Sequence, residues 1–187
     1  MVKRKTCVFI SGQGSNLNNL IAFSRGYNFP IKISLVISNN KKAKGIIYAK
    51  KFNIPYVYIN TKSRNYENKI LLNLKRYKIS FVCLAGYMKI ISIKLINDLK
   101  IKIINIHPSL LPKYKGLDTF SRMLKNKEIK GGCTVHYVTK KLDSGKNIIQ
   151  KNFFIQKKDD KNILKRKTQQ LEYKAFPEAI IKIFSNI

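Results

Sequence analysis

Short runs of β-branched and apolar residues alternate with stretches of helical spacing along the first hundred positions of this chain. Cys7 to Ile10, Ile31 to Ser38, Pro55 to Ile59 and Phe81 to Ala85 read as strands. Helices are expected through Leu20, Ile21 and Phe23, from Gly45 to Phe52, and from Asn65 to Tyr77, where Ile70, Leu71 and Leu74 share a face. Strands this apolar, separated by helices, predict a parallel sheet covered on both sides. A further run, Ile101, Ile103 and Ile104, ends at Asn105-Ile106-His107-Pro108-Ser109-Leu110-Leu111-Pro112. That strand exit presents two polar side chains on one side, and its two prolines are expected to stiffen the backbone that fixes His107.

After Pro112 the rhythm changes. Lys113 to Asp118 reads as a loop, Thr119 to Asn126 as a short helix, and Cys133 to Val138 and Lys146 to Ile155 as an antiparallel pair joined by residues 139–145. A final helix is expected from Asn162 to Phe184, kinked at Pro177. No repeat or low-complexity linker interrupts the pattern. The fold class is therefore read as α/β: a single-domain, Rossmann-like, mostly parallel twisted sheet with helices on both faces and an appended antiparallel strand pair, over residues 1–187. A chain of 187 residues buries roughly 70% of its unfolded surface and needs no staples.

Charge changes this picture less than its size implies. The formal net charge is +29, but only six of the 38 basic residues are arginine, and the lysines are scattered beside abundant Ile and Asn. Lys, Asn and Ile share A/T-rich codons, so compositional drift accounts for all three excesses. A nucleic-acid reader concentrates charge in a stripe and favours arginine, so no specific nucleic-acid partner is expected. Cys7, Cys83 and Cys133 have no metal-like spacing and read as buried free thiols of a cytoplasmic protein. The apolar run behind the basic N-terminus is too short for a signal-peptide core, and no stretch approaches a membrane span.

Candidate chemistry is sparse, because the chain has two histidines and nine carboxylates. Asn105 and His107 lie two apart on a strand, so one amide and one imidazole could clamp a developing oxyanion or supply a general acid. Asp143, on a loop bounded by Gly145, is the carboxylate best placed to orient that histidine; its other reading is a plain turn residue. Strict alternation puts His136 on the opposite side from Cys133, Val135 and Tyr137, as a solvent-facing or structural residue. Gly12-Gln13-Gly14-Ser15, between a strand and a helix, makes an anion cradle or simply a tight turn. The dinucleotide fingerprint fails at Leu17, and no Gly-Lys-Ser/Thr follows. Two histidines and three cysteines in no ligand pattern make no metal site.

Five stretches in order carry a family resemblance: Ile10-Ser11-Gly12-Gln13-Gly14-Ser15-Asn16-Leu17, Leu84 to Ile90, Asn105 to Pro112 with Lys113-Tyr114-x-Gly116-Leu117, Cys133-Thr134-Val135-His136, and Leu142-Asp143-x-Gly145. Together they resemble the phosphoribosylglycinamide formyltransferases, folate-dependent enzymes of purine synthesis. The resemblance covers essentially the whole chain. It implies a catalytic trio of Asn105, His107 and Asp143. It implies that Gly12, Gln13, Gly14, Ser15 and Glu172 hold glycinamide ribonucleotide. Arg64, Met88, Lys89, Ile90, Ile91 and Asn105, with the backbone at Val138, Thr139 and Lys140, would form the folate pocket. The implied co-substrate is 10-formyltetrahydrofolate, with no metal, and the implied state is a monomer or homodimer. Asp143 would keep His107 protonated and move the amine's proton through water. Where many relatives carry histidines, this chain has Asp118, Phe120 and Tyr173.

The alternatives are another folate-dependent formyl-transfer or formyl-hydrolase core, or a basic nucleic-acid-binding α/β module without catalysis. Methionyl-tRNA formyltransferase would need a further tRNA-binding domain, for which this length leaves no room, and formyltetrahydrofolate hydrolase an N-terminal regulatory domain ahead of the first strand. Retention of both Asn105 and Asp143 argues against a module that has lost catalysis.

Overall fold

A computed structural model describes residues 2–185. Its strands form one sheet in the order β3-β2-β1-β4-β5-β6-β7, where β1 is Arg4–Ile10, β2 Ile31–Ser38, β3 Tyr56–Tyr58, β4 Phe81–Leu84, β5 Lys102–His107, β6 Lys130–Tyr137 and β7 Asn147–Phe154. The α/β, Rossmann-like, mostly parallel sheet with an added antiparallel pair is the fold expected from the hydrophobic pattern. The chain clusters into two compact units, Met1–Ile104 and Asn105–Ile187.

In the first unit β1 pairs in parallel with β2 and β4, and β2 with β3. Cys7 to Ile10 and Phe81 to Leu84 are buried without alternation, as strands covered on both sides must be. The connecting helices are α1 (Ser15–Ser24), α2 (Ile46–Lys51), α3 (Tyr66–Arg76) and α4 (Ile93–Leu99). The hydrophobic pattern did not anticipate α4. Its start is marked by Ser92, whose hydroxyl accepts from the Leu95 N–H at 3.0 Å.

The turn between β1 and α1 is shaped by a backbone contact. Gly14 has φ +74°, and a Cβ built there would lie 2.4 Å from the Cα of Gly45. Gly45 in turn donates its N–H to the Gly12 carbonyl at 3.0 Å. Ser11 ties the turn to its neighbours: its hydroxyl donates to Asn39 Oδ1 and accepts from the Met88 N–H at 2.7 Å.

In the second unit β6 and β7 run antiparallel from Lys130↔Phe154 to His136↔Asn147, with a register shift between Val135 and His136. Here β6 begins three residues before the expected strand, because Gly131-Gly132 lack strand propensity. Both faces of β6 are buried, so alternation along it does not separate core from solvent. The remaining helices are α5 (Thr119–Lys125) and α6 (Lys161–Phe184), and α6 packs on β6 and β7. Asp160 caps α6 by accepting from the Ile163 N–H at 2.7 Å, and the helix continues through the buried Pro177.

Side chains from β6 and β7 hold the strand exit after β5. Thr134 donates its hydroxyl to the Ser109 carbonyl at 2.6 Å and accepts from the Leu111 N–H at 3.0 Å. Gln150 adds an amide donor to the Leu111 carbonyl at 2.8 Å. The Leu111–Pro112 peptide is cis.

The glycine contact sets an order of tolerance. Gly14→Ala should lower the unfolding free energy by on the order of 2 kcal/mol or more, from left-handed strain plus the clash with Gly45. Gly12→Ala, whose new Cβ meets nothing within 4 Å, should cost under about 1 kcal/mol. Denaturant unfolding of the two variants measures the difference, and equal costs would show the contact to be yielding.

Candidate active site

Strand β5 delivers Asn105 and His107 two positions apart, and the loop between β6 and β7 delivers Asp143. Asp143 is 9% exposed, with φ +45° in the left-handed region. That loop closes because Gly145 has no side chain: a Cβ there would lie 1.7 Å from the Tyr137 carbonyl oxygen. Asp143 Oδ2 accepts from the Gly116 N–H at 2.8 Å and lies 3.4 Å from His107 Nδ1. Asp143 Oδ1 lies 3.6 Å from His136 Nε2. A buried carboxylate thus sits between two imidazoles, with one backbone donor.

The tautomers follow from the partners. His107 Nε2 is 2.8 Å from the Tyr114 carbonyl, which can only accept, so Nε2 carries hydrogen and Nδ1 is the nitrogen facing Asp143. In His136 the assignment is reversed. Its Nδ1 is 2.9 Å from the Tyr137 carbonyl and therefore donates, so in the neutral ring Nε2 accepts from Asn105 Nδ2 at 3.2 Å. That bond fixes which way the Asn105 amide points and leaves its second N–H for another acceptor.

His136 is 2% exposed, which removes the solvent-facing reading. Burial depresses its pKa below the ordinary 6.5, outweighing the neighbouring Tyr137 carbonyl and Asp143. The bulge at Val135/His136 lies in the strand where this ring must meet both Asn105 and Asp143. Tyr114 and Gly116 contribute through backbone atoms alone, which no side-chain pattern announces.

The other expected site residues fall as follows. Gly12 and Gln13 are exposed, Gly14 is buried, and Ser15 opens α1. Met88, Lys89 and Ile90 are exposed after β4, while Ile91 is buried. Arg64 is exposed in the turn before α3. Val138 is half-buried, and Thr139 and Lys140 are exposed, in the loop after β6. Glu172 lies half-buried on α6, near enough to Cys133 to help burial raise that thiol's pKa to about 12. The three cysteines are buried and free, and burial raises the other two thiols as well. Among the described residues, no group of three or more His, Cys, Asp or Glu is arranged to hold a metal ion, and no helix is long and apolar enough to cross a membrane.

A histidine whose folded pKa is depressed contributes stability that is present above its unfolded pKa and is lost as pH falls through the folded value. Unfolding free energy should therefore decline as pH drops below about 6.5, and His136→Gln should remove that part of the slope. Denaturant titrations at several pH values measure it; coincident wild-type and variant slopes would mean that His136 is not held neutral.

Comparison with known proteins bears on this arrangement directly. The sequence profile of the Formyl transferase family matches residues 4–180. The chain is 36% identical to the phosphoribosylglycinamide formyltransferase of Haemophilus influenzae, over 97% of its own length and 87% of that protein. It is 38% identical to the trifunctional purine biosynthetic protein adenosine-3 of Drosophila pseudoobscura pseudoobscura, of which it spans 14% while 98% of its own length is matched. The crystal structure of phosphoribosylglycinamide formyltransferase from Bacillus halodurans superposes with a TM-score of 0.93 at 31% identity, covering 98% of this chain and 96% of that one. With a buried carboxylate, an oriented amide and an imidazole in place and a family profile over nearly every residue, this chain belongs to the Formyl transferase family.

Proposed function

We propose that this chain is a phosphoribosylglycinamide formyltransferase, transferring the formyl group of 10-formyltetrahydrofolate to the primary amine of glycinamide ribonucleotide in purine synthesis. The reading rests on one observation above all. His107 is locked through Nε2 to the Tyr114 carbonyl, so its Nδ1 is held 3.4 Å from the buried Asp143 carboxylate, on the same strand as an amide oriented by His136. The full-length similarity to formyltransferases of this name supports it.

In the reaction, the substrate amine attacks the formyl carbon and the carbonyl oxygen becomes an oxyanion. The second N–H of Asn105 and the Nδ1–H of His107 are the donors for that oxygen. With Nε2–H committed to Tyr114, a proton on Nδ1 makes the ring an imidazolium, whose charge the Asp143 carboxylate balances. Asp143, through water, moves the proton from the attacking amine to the folate nitrogen, which leaves protonated as its bond to the formyl carbon breaks. Gly12, Gln13, Gly14, Ser15 and Glu172 are assigned to the ribonucleotide. Arg64, Met88, Lys89, Ile90 and Ile91, with Asn105 and the backbone from Val138 to Lys140, are assigned to the folate. We read residues 1–187 as one cytoplasmic formyltransferase domain, working as a monomer or homodimer on small molecules rather than nucleic acid.

Purified protein should formylate glycinamide ribonucleotide at the expense of 10-formyltetrahydrofolate. Asn105→Ala, His107→Ala and Asp143→Ala should each lose roughly a hundredfold or more in turnover, the usual cost of an oxyanion donor or proton shuttle. Variants as active as wild type would remove these residues from the chemistry, and an inactive, folded wild type would remove the substrate assignment.

A further inference from the structure

Tyr114 is a residue whose backbone touches the site while its side chain is held elsewhere. Its φ is +57°, a left-handed conformation that a bulky residue keeps only when its surroundings impose it. They do so through the phenol. The Tyr114 hydroxyl donates to Glu128 Oε1 at 2.8 Å and accepts from Asn126 Nδ2 at 3.0 Å. Glu128 is itself gripped by Lys113 Nζ at 2.9 and 3.1 Å. Arg122 stands over the Tyr114 ring at 5.3 Å and donates to the Lys115 carbonyl at 2.7 Å. Lys113 and Tyr114 hold the Glu128 carboxyl below its ordinary pKa, so the anchor stays ionised.

Resting on the formyltransferase reading, we propose that Glu128 is a positioning residue for His107. Its carboxylate fixes the Tyr114 phenol, the phenol fixes the left-handed backbone, and the Tyr114 carbonyl thereby takes the His107 Nε2–H. The imidazole is then aimed at the developing oxyanion by a side chain that does not itself touch the ring. The next N–H but one along the same loop, that of Gly116, holds Asp143, so one anchored loop sets both members of the pair. Glu128 and Tyr114 also line an open cavity of about 590 Å³, with Lys113, Met123, Asn126 and Ile129. Trimming either side chain therefore opens onto existing space and leaves no sealed void.

With only two histidines in the chain, nitrogen-labelled imidazole spectra can follow the His107 Nε2–H separately from His136. In Tyr114→Phe and Glu128→Ala that proton should broaden through exchange while the His136 signals hold. For the same variants kcat should fall about tenfold with KM for both substrates within about twofold, the pattern of a misaimed group. Glu128→Gln, whose amide oxygen still accepts from the phenol, should keep at least about half of the wild-type kcat. An unchanged His107 signal in Tyr114→Phe overturns the proposal, whether kcat is kept or falls, because a fall would then reflect general destabilisation. Because the spectra need no substrate, they decide the matter even if the wild type proves to formylate something else.

Discussion

A carboxylate taken out of water must be compensated, and the buried Asp143 is the constraint to which the second half of this chain answers. Burying an ion costs several kcal/mol unless hydrogen bonds and opposite charge meet it. The Gly116 N–H donates to it and the His107 ring stands 3.4 Å away, while the neutral His136 closes its other side without a hydrogen to offer. Gly145 lets the loop close tightly enough to bring Asp143 in, and the bulge in β6 lies beside the second ring. Tyr114 and Asp143, the one meeting His107 through its carbonyl and the other through its carboxylate, both hold positive φ.

The two imidazoles flank one carboxylate yet do different work. His107 spends its Nε2 hydrogen on a carbonyl and turns Nδ1 inward, whereas His136 spends its Nδ1 hydrogen and offers a lone pair to Asn105. Protonating His136 would replace the acceptor that orients the amide with a second donor. Burial opposes that protonation, so the desolvation that makes the site expensive also keeps its hydrogen-bond polarity consistent.

Much of this was legible beforehand, for identifiable reasons. Parallel strands buried on both sides write continuous apolar runs, and a strand ending in Asn-x-His-Pro advertises its polar exit. Asp143 was visible because a carboxylate before Gly145 had few rivals in a chain so poor in acids. Other features lacked a one-dimensional signature. Alternation put His136 on a side of β6 but could not say that the side would be covered. Helix α4 is seven residues long and follows the apolar pair Ile90-Ile91, so its period was masked. The carbonyl of Tyr114 and the N–H of Gly116 belong to atoms every residue has, and only the fold selects them.

The scarcity of acids has a consequence of its own. Residues 1–104 carry 20 basic side chains and two carboxylates, Glu67 and Asp98, while residues 105–187 carry 18 and seven. Asp118, Glu128 and Asp159 are held below their ordinary pKa by hydrogen bonds with lysine, serine, tyrosine or backbone partners. Each such group contributes stability above its unfolded pKa and loses it as pH falls through the folded one. These three carboxylates all lie in residues 105–187, and the glycine turn and parallel strands of the first unit carry none. Low pH therefore acts on the half of the sequence that also holds Asn105, His107 and Asp143.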